Sequence, residues 1–464
     1  MKVVIVFPHV GYCTGWRPHL ATEVKNGATY HIAQALTYLY SIARRFTDEV
    51  LVIDFNFDSH EQNLRKLEQF APDAVLISST VNSYDSTKQI AQDVAALGVK
   101  LFIGGPAVSS NYYLRPDLLD VGVPCEFVVT NKDIFAWTEQ VFGEDRHLRF
   151  NEFAVDNSWI AETYPDDVRP ALRYTVASSI GCTFKCHFCL NPMVYKINYK
   201  EPALLESEIG YLMENYGADA VSVADPYFFM RQSHADDVMS VMQTLGIRWS
   251  QQTCLVTLTP ENLARMAETG CRSVLVGIEN FASGEIDKPV EVDNFEYVAA
   301  EAKALGISVK PSFISALLDI DYDADVQQVH YIKSLIDRDL VPSHNIQSNI
   351  YSPYIPDSRD RLLDVPFRFW GVMPVTAQDK EHWTRNMALC DLIYELVFPD
   401  TRERYAEVRA EYLDHLATLD DWWVKHRPVP EMSLDKRPFL LTSGRVRAEG
   451  VEPLPGQSVL KVLA

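Results

Sequence analysis

Three cysteines fall inside the stretch SSIGCTFKCHFCLNP, residues 178–192: Cys182, Cys186 and Cys189. Three thiolates at CxxxCxxC spacing can hold a metal, and they leave a fourth position empty. Structural zinc wants four ligands, usually from two well-separated CxxC-like pairs. The chain has no second CxxC, and His187 sits between Cys186 and Cys189, where chelation is awkward. Three thiolates with one open position suit an iron–sulfur cluster whose fourth iron binds something other than protein.

Such a loop needs a scaffold, and the patterning predicts one. Residues 1–150 alternate apolar runs with helical stretches. Strands are expected at Val3–Phe7, Val50–Phe55, Asp73–Ser78, Lys100–Ile103 and Glu126–Val129, with helices at Tyr30–Phe46 and Ser86–Leu97. Strands of this length separated by helices imply parallel βαβ units, hence a doubly wound, Rossmann-like sheet. Residues 151–172 read as a linker. A second alternation fills 173–357, with strands near Tyr174–Ser179, Ala220–Ala224, Arg248–Gln252, Ser273–Gly277, Ser308–Phe313 and Asn345–Tyr351. Six βα steps predict a partial (β/α)6 TIM-type barrel with its chemistry at the carboxyl ends of the strands. Thr259-Pro260-Glu261-Asn262 is a helix start signal. From 358 to 464 the alternation gives way to helices at Glu381–Phe398 and Arg402–Leu419, read as a mainly helical lid.

The chain has 464 residues, is 47% apolar and carries 42 basic against 63 acidic side chains, a net charge of −21. That balance argues against a nucleic-acid partner, whose phosphates call for Lys and Arg. A small-molecule or peptide substrate is expected instead. No stretch approaches the roughly 20 apolar residues of a membrane span. The opening MKVVIVFPHVGY reads as a strand, not a signal peptide, and the five cysteines outside the cluster are scattered; a cytoplasmic location is expected. The acidic run Asp319–Asp325 reads as a solvated loop.

Cys182-Thr-Phe-Lys-Cys186-His-Phe188-Cys189 resembles the CxxxCx(aromatic)C signature of the radical S-adenosylmethionine (SAM) enzymes. The resemblance implies a 4Fe–4S cluster on the three cysteines, with the open iron chelating the methionine moiety of SAM. It also implies cosubstrate contacts from Phe188 (adenine), from Asp225 in Val-Ala-Asp-Pro-Tyr (the methionyl amine), and from Gln252, Glu279 and Ser312 at later strand ends. Asn349–Pro353 falls where the sixth strand would touch adenine. Cys254 and Tyr227 are weaker candidates beside a substrate; a buried thiol more often acts as a small hydrophobe.

The first domain lacks a GxGxxG turn after its first strand, which disfavours a dinucleotide. Its order, with Ser78-Ser79-Thr80-Val81-Asn82 after the third strand and Gly104-Gly105-Pro106 after the fourth, resembles the cobalamin-binding domain of the cobalamin-dependent radical SAM subfamily. The implied corrin contacts are Ser79, Thr80, Val81, Gly104, Gly105, Pro106 and Thr130, small residues permitting close backbone approach. Asp58-Ser-His60-Glu-Gln-Asn63 is a near miss to a cobalt-ligating motif after the wrong strand, so His60 is expected in a surface loop. Val129-Thr-Asn-Lys-Asp133 departs from the Gly-Glu-Gly-Glu common in the family.

The resemblance implies a methyltransferase. It would cleave SAM reductively to a 5′-deoxyadenosyl radical and methylate an unactivated carbon of a metabolite, natural-product intermediate or peptide through methylcobalamin. An external flavodoxin- or ferredoxin-type donor would supply electrons. Three alternatives stay open: a non-methylating rearrangement, cyclisation or ring contraction with the same cofactors, a radical enzyme whose first domain only recognises a partner, or a non-enzymatic metal-binding module. Anaerobic reconstitution followed by metal analysis is expected to find iron on the chain; zinc in its place would rule out the radical reading.

Overall fold

The computed structural model describes residues 1–9, 30–80, 83–111, 121–129, 133–144, 146–186, 189, 191, 195–283, 290–317, 320–350, 367–368, 371–372 and 388–401. Its contacts divide the described chain into two units. The first holds Met1–Thr183 and Leu190–Ser250; the second holds Phe184–Cys189 and the described residues from Gln251 onward.

In the first unit, β1 (Val3–Phe7) is the run VVIVF with every side chain buried. A strand apolar on both faces must be covered on both, which is the signature of a central parallel strand. It pairs in parallel with β3 (Val50–Asp54) on one side and β4 (Ala74–Ser78) on the other; β5 (Lys100–Gly104) and β6 (Glu126–Phe127) follow β4. The sheet order β3-β1-β4-β5-β6 is doubly wound. The order reverses between β1 and β4, the point at whose carboxyl ends sheets of this kind take their ligands.

Three expectations change here. Tyr30 and His31 begin no helix: they form the short strand β2, parallel to Leu172 and Arg173, and helix α1 runs only over Gln34–Ala43. The Tyr30 hydroxyl donates to Asp54 at 2.6 Å, and the Ile32 amide donates to the Arg173 carbonyl at 3.2 Å. These pairings outweigh the helical pattern. His60 lies in no loop but opens α2 (His60–Phe70), behind a capping box of Ser59 and Gln62, and its Nε2 is 2.7 Å from Asp93. The expected linker 151–172 is packed structure. Trp159 and Tyr164 are buried, and the Tyr164 hydroxyl donates to Asp54 at 2.7 Å.

The barrel strands of this unit are β7 (Leu172–Val176), β10 (Ala220–Val223) and the start of β11 (Arg248–Thr253), with β2 beside β7, all parallel. Between β7 and β10 lie the short strands β8 (Ser179–Ile180) and β9 (Asn198–Tyr199) and the helix Pro202–Tyr216. In the second unit β12 (Cys271–Glu279), β13 (Ser308–Ser315) and β14 (Gln347–Ile350) form a parallel run. Helices Val292–Ala304 and Tyr322–Asp337 connect them. The helix after β11 starts as its sequence predicts, with Pro260 in the first turn and the Asn262 amide donating to Thr259 Oγ1 at 3.3 Å. Six parallel strands alternating with helices make the partial (β/α)6 barrel. No helix among the described residues is long and apolar enough to cross a membrane. Of the expected lid, 388–396 is helical and buries Leu389, Cys390 and Ile393; the Arg402–Leu419 helix lies outside the described residues.

The loops after β4 and β5 meet closely. The Ser79 amide donates to the Gly104 carbonyl at 2.8 Å, and the Ala107 amide donates back to the Ser79 carbonyl at 3.2 Å. Gly105 has φ +95°, and a Cβ there would stand 2.9 Å from the Ser79 nitrogen and closer still to its carbonyl oxygen. The glycine is therefore required by the neighbouring loop, an internal reason that differs from the ligand approach expected of it. Gly105→Ala is expected to destabilise the protein by about 2–3 kcal/mol, from backbone strain plus the clash. Thermal melting checks this, and an unchanged Tm would contradict it.

Candidate active site

Strand register decides which side chains meet below the cysteine loop. Val223 of β10 sits opposite Val176 of β7, and the Ala224 amide still donates to the Val176 carbonyl at 2.8 Å. Two residues further on, Asp225 arrives beside Ser178. Its Oδ1 accepts from the Ser178 and Ser179 amides at 2.8 and 2.9 Å. Its Oδ2 accepts from the Ser178 hydroxyl and, at 2.8 Å, from the Ser179 hydroxyl. A carboxylate has about four lone-pair sites, and all four are used. Asp225 is fully buried. Burial pushes its carboxyl pKa up, against the downward pull of the hydrogen bonds from Ser178 and Ser179. Each charge-assisted bond contributes about 1.5–3 kcal/mol, enough together to offset a desolvation cost of several kcal/mol.

Ser178 Oγ has one proton, given to Asp225. Its contact with His234 Nε2, at 3.0 Å, must therefore be donated by the histidine. Burial pushes the His234 pKa down, keeping the ring neutral with Nε2 protonated. The Tyr199 ring packs on it at 4.8 Å, and the Arg231 guanidinium lies 3.8 Å from the centre of the Tyr199 ring. The pull of Asp225 also explains why the strand expected over Tyr174–Ser179 breaks: β7 ends at Val176, and Ser179 turns into β8.

From there the chain makes an excursion. Ser179 pairs antiparallel with Tyr199 and Ile180 with Asn198, so the chain leaves at Gly181 and returns at Ile197 through a closed neck. The Lys200 amide adds a bond to the Ser178 carbonyl at 2.7 Å, and the Lys200 ammonium is buried 2.5 Å from Glu208. Although burial opposes its charge, Glu208 holds the Lys200 pKa above the ordinary value. Gly181 has φ +79°; a Cβ there would lie 2.8 Å from the Ile197 nitrogen, so only glycine passes this crossing.

Cys182 is half-buried on the outgoing arm. Cys186 is buried, and the Cys189 amide donates to its carbonyl at 2.9 Å, closing a turn that sets the two thiols on one short segment. Three thiols within eight residues are the donor set an iron–sulfur cluster takes. Among the described residues no three Cys, His, Asp or Glu side chains are gathered closely enough to enclose a metal ion. His187 and Phe188, the latter expected to contact adenine, lie outside the described residues.

In the second unit the register brings Gly277 beside Ser312 and, after a bulge, Glu279 beside Phe313. Glu279 is buried and has φ +60°, a left-handed conformation unusual outside glycine. Ala316, just past β13, has φ +65°. Asp325 accepts from the Ala316 amide at 3.0 and 3.1 Å and from Asn280 at 3.3 Å. The run read as a solvated loop thus contributes a fully buried carboxylate, because a left-handed strand end needed an acceptor for its amide. Gln252 and Ser312 are half-buried on β11 and β13, and Cys254 is buried just past β11. In the first unit Tyr227 is half-buried two residues past Asp225, and Thr80, Gly104, Gly105 and Pro106 are half-buried where their strands end. Val81 and Thr130 lie outside the described residues, as do residues 351–353.

Sequence reasoning missed Ser178, Ser179 and His234. The Ser-Ser-Ile-Gly run directly before the first cysteine was the available signal, since two adjacent hydroxyls and amides at a strand end can receive one carboxylate.

Residues 176–329 match the family model of the Radical SAM superfamily. Over 337 residues the chain is 22% identical to a Pyrococcus horikoshii protein named uncharacterized methyltransferase PH0819, a match covering 65% of this chain and 72% of that protein. Over 297 residues it is 24% identical to the hopanoid C-2 methylase of Rhodopseudomonas palustris, covering 60% of this chain but only 54% of that relative's length. The fold is similar to that of TsrM, a radical S-adenosylmethionine methyltransferase of Kitasatospora setae. Against the structure with tryptophan substrate and a SAM analog the TM-score is 0.55 at 14% identity, covering 76% of this chain and 73% of that one. Against the structure with cobalamin and a [4Fe-4S] cluster the TM-score is 0.54 at 14% identity, covering 72% and 70%. Residues 176–329, which carry the three cysteines, are a radical SAM domain.

Proposed function

We propose that the chain is a cobalamin-dependent radical SAM methyltransferase acting on an unactivated carbon of a small metabolite, natural-product intermediate or peptide. The observation that carries the reading is the three-thiol segment that follows the first barrel strand, in a chain whose first sheet reverses its strand order between β1 and β4. The names of both curated relatives and the fold shared with TsrM support it.

The residues present suit these groups. Cys182, Cys186 and Cys189 would hold a 4Fe–4S cluster by three thiolates, leaving the remaining iron to the cosubstrate. Glu279, Gln252 and Ser312 lie at or near barrel strand ends, where a cosubstrate amine, carboxylate or ribose would be bound. The half-buried Thr80, Gly104, Gly105 and Pro106 end β4 and β5 beside the β1–β4 reversal, where an open α/β sheet takes its ligand; they would hold a corrin. When bound, the cluster supplies one-electron reduction of S-adenosylmethionine, and cobalamin supplies a carrier for the methyl group. The protein's part is to fix these groups and exclude water while they react.

Anaerobic reconstitution with iron, sulfide and hydroxocobalamin, followed by incubation with reductant and S-adenosylmethionine, tests this reading. About four irons and one corrinoid per chain are expected, with 5′-deoxyadenosine and S-adenosylhomocysteine both formed once substrate is present. Cys186→Ala is expected to bring deoxyadenosine to background. Deoxyadenosine without S-adenosylhomocysteine would refute methyl transfer. Iron without corrinoid would refute the role given to the first domain, and a Cys186→Ala variant that keeps its brown colour and its cleavage activity would refute the ligand assignment.

A further inference from the structure

The family resemblance assigns Asp225 to the cosubstrate amine, yet the structure surrounds its carboxylate with Ser178 and Ser179. We propose that Asp225 is a positioning residue for the cysteine loop, clasping its neck through those two serines. The inference rests on the reading of that loop as the cluster site.

The neck joins two arms that the β8–β9 pairs and the Lys200 amide on the Ser178 carbonyl hold together, and Asp225 adds a third tie. Bringing together the ends of a segment as long as residues 181–197 has an entropic cost that grows with its length. Against this stand the two residue pairs of β8 and β9 and the Lys200 bond to the Ser178 carbonyl, anchored by the buried Lys200–Glu208 pair, and a two-stranded ladder by itself is marginal at best. Asp225 binds the outgoing arm at consecutive residues, through backbone and side chain alike, from a separate strand end. That fixes both the position and the direction in which the chain leaves toward Gly181 and Cys182. His234 braces the same arrangement by donating to Ser178 Oγ, and Tyr199 of the returning arm packs on His234. Both arms are thereby tied to one buried carboxylate. With its four acceptor sites taken and no exposed surface, Asp225 has nothing left to offer a cosubstrate amine.

Asparagine and alanine separate the two roles. In Asp225→Asn the amide oxygen still accepts from both backbone amides, and the serine hydroxyls can turn to accept from the amide nitrogen; the clasp persists without charge. A contact to a cationic amine would not survive that change. Hydrogen exchange on the protein without its cluster reads the neck directly. Asp225→Ala is expected to speed exchange at residues 178–180 and 195–200, while Asp225→Asn stays near the wild type. In the reconstituted protein Asp225→Ala is expected to weaken cluster retention about 10–100-fold, as loss of a group supporting the ligands does. The reduced cluster's electron paramagnetic resonance (EPR) spectrum should change before any S-adenosylmethionine is added, and Asp225→Asn should restore both. Ser179→Ala, which removes one donor and keeps the carboxylate, is expected to move the same readouts less, and it carries the test if Asp225→Ala does not fold. The proposal is overturned if Asp225→Ala or Ser179→Ala leaves exchange and cluster retention unchanged. It is equally overturned if Asp225→Asn keeps the cluster but loses cosubstrate affinity. Should the wild-type protein take up no iron, the cluster reading fails, while the exchange data still decide whether Asp225 holds the neck.

Discussion

One buried carboxylate governs the region that matters most in this molecule. Asp225 stands at the end of β10, and the parallel register with β7 delivers it to Ser178 and Ser179 as surely as it aligns Val223 with Val176. Because water is excluded there, the carboxylate is tolerable only with every acceptor site filled. The serines that fill it are the last residues before the cysteine loop. The requirement for electrostatic satisfaction and the requirement for a defined loop origin are met by the same four hydrogen bonds.

The second unit shows the same device. Ala316 and Glu279 leave their strands in left-handed conformations, which L residues adopt at a cost of about 1–3 kcal/mol each. Asp325 answers one of them by accepting the Ala316 amide and binding Asn280, the residue after Glu279. In both units a buried aspartate therefore organises backbone just past a strand's carboxyl end, which is where a barrel fold places its chemistry. Strain kept at such ends, with acceptors supplied from neighbouring elements, fits a site whose backbone direction matters more than its local comfort.

Features encoded locally were legible in the sequence. The CxxxCxxC spacing, the wholly apolar β1, the Thr259–Pro260 helix start and the six-step alternation each need only a short window. Features that depend on distant partners were not. Tyr30 and His31 look helical until Leu172 and Arg173 pair with them; Asp325 looks solvated until Ala316 presents an unpaired amide; the expected linker looks bare until Trp159 and Tyr164 bury. Gly105 was noticed as a small residue, but the reason for it, the Ser79 backbone pressed against its missing side chain, exists only in three dimensions. Asp225 is the sharpest case, since the strand end it follows is legible in a short window and its partners Ser178 and Ser179, more than forty residues away, are not.

The central claim is that the three cysteines build a cluster with one iron open to the cosubstrate. EPR of the anaerobically reduced protein, recorded with and without S-adenosylmethionine, tests it most directly. The account predicts the signal of a reduced 4Fe–4S cluster whose g-values shift when S-adenosylmethionine is added. A cluster signal that the cosubstrate leaves unchanged, or the absence of any such signal in iron-loaded protein, would contradict it.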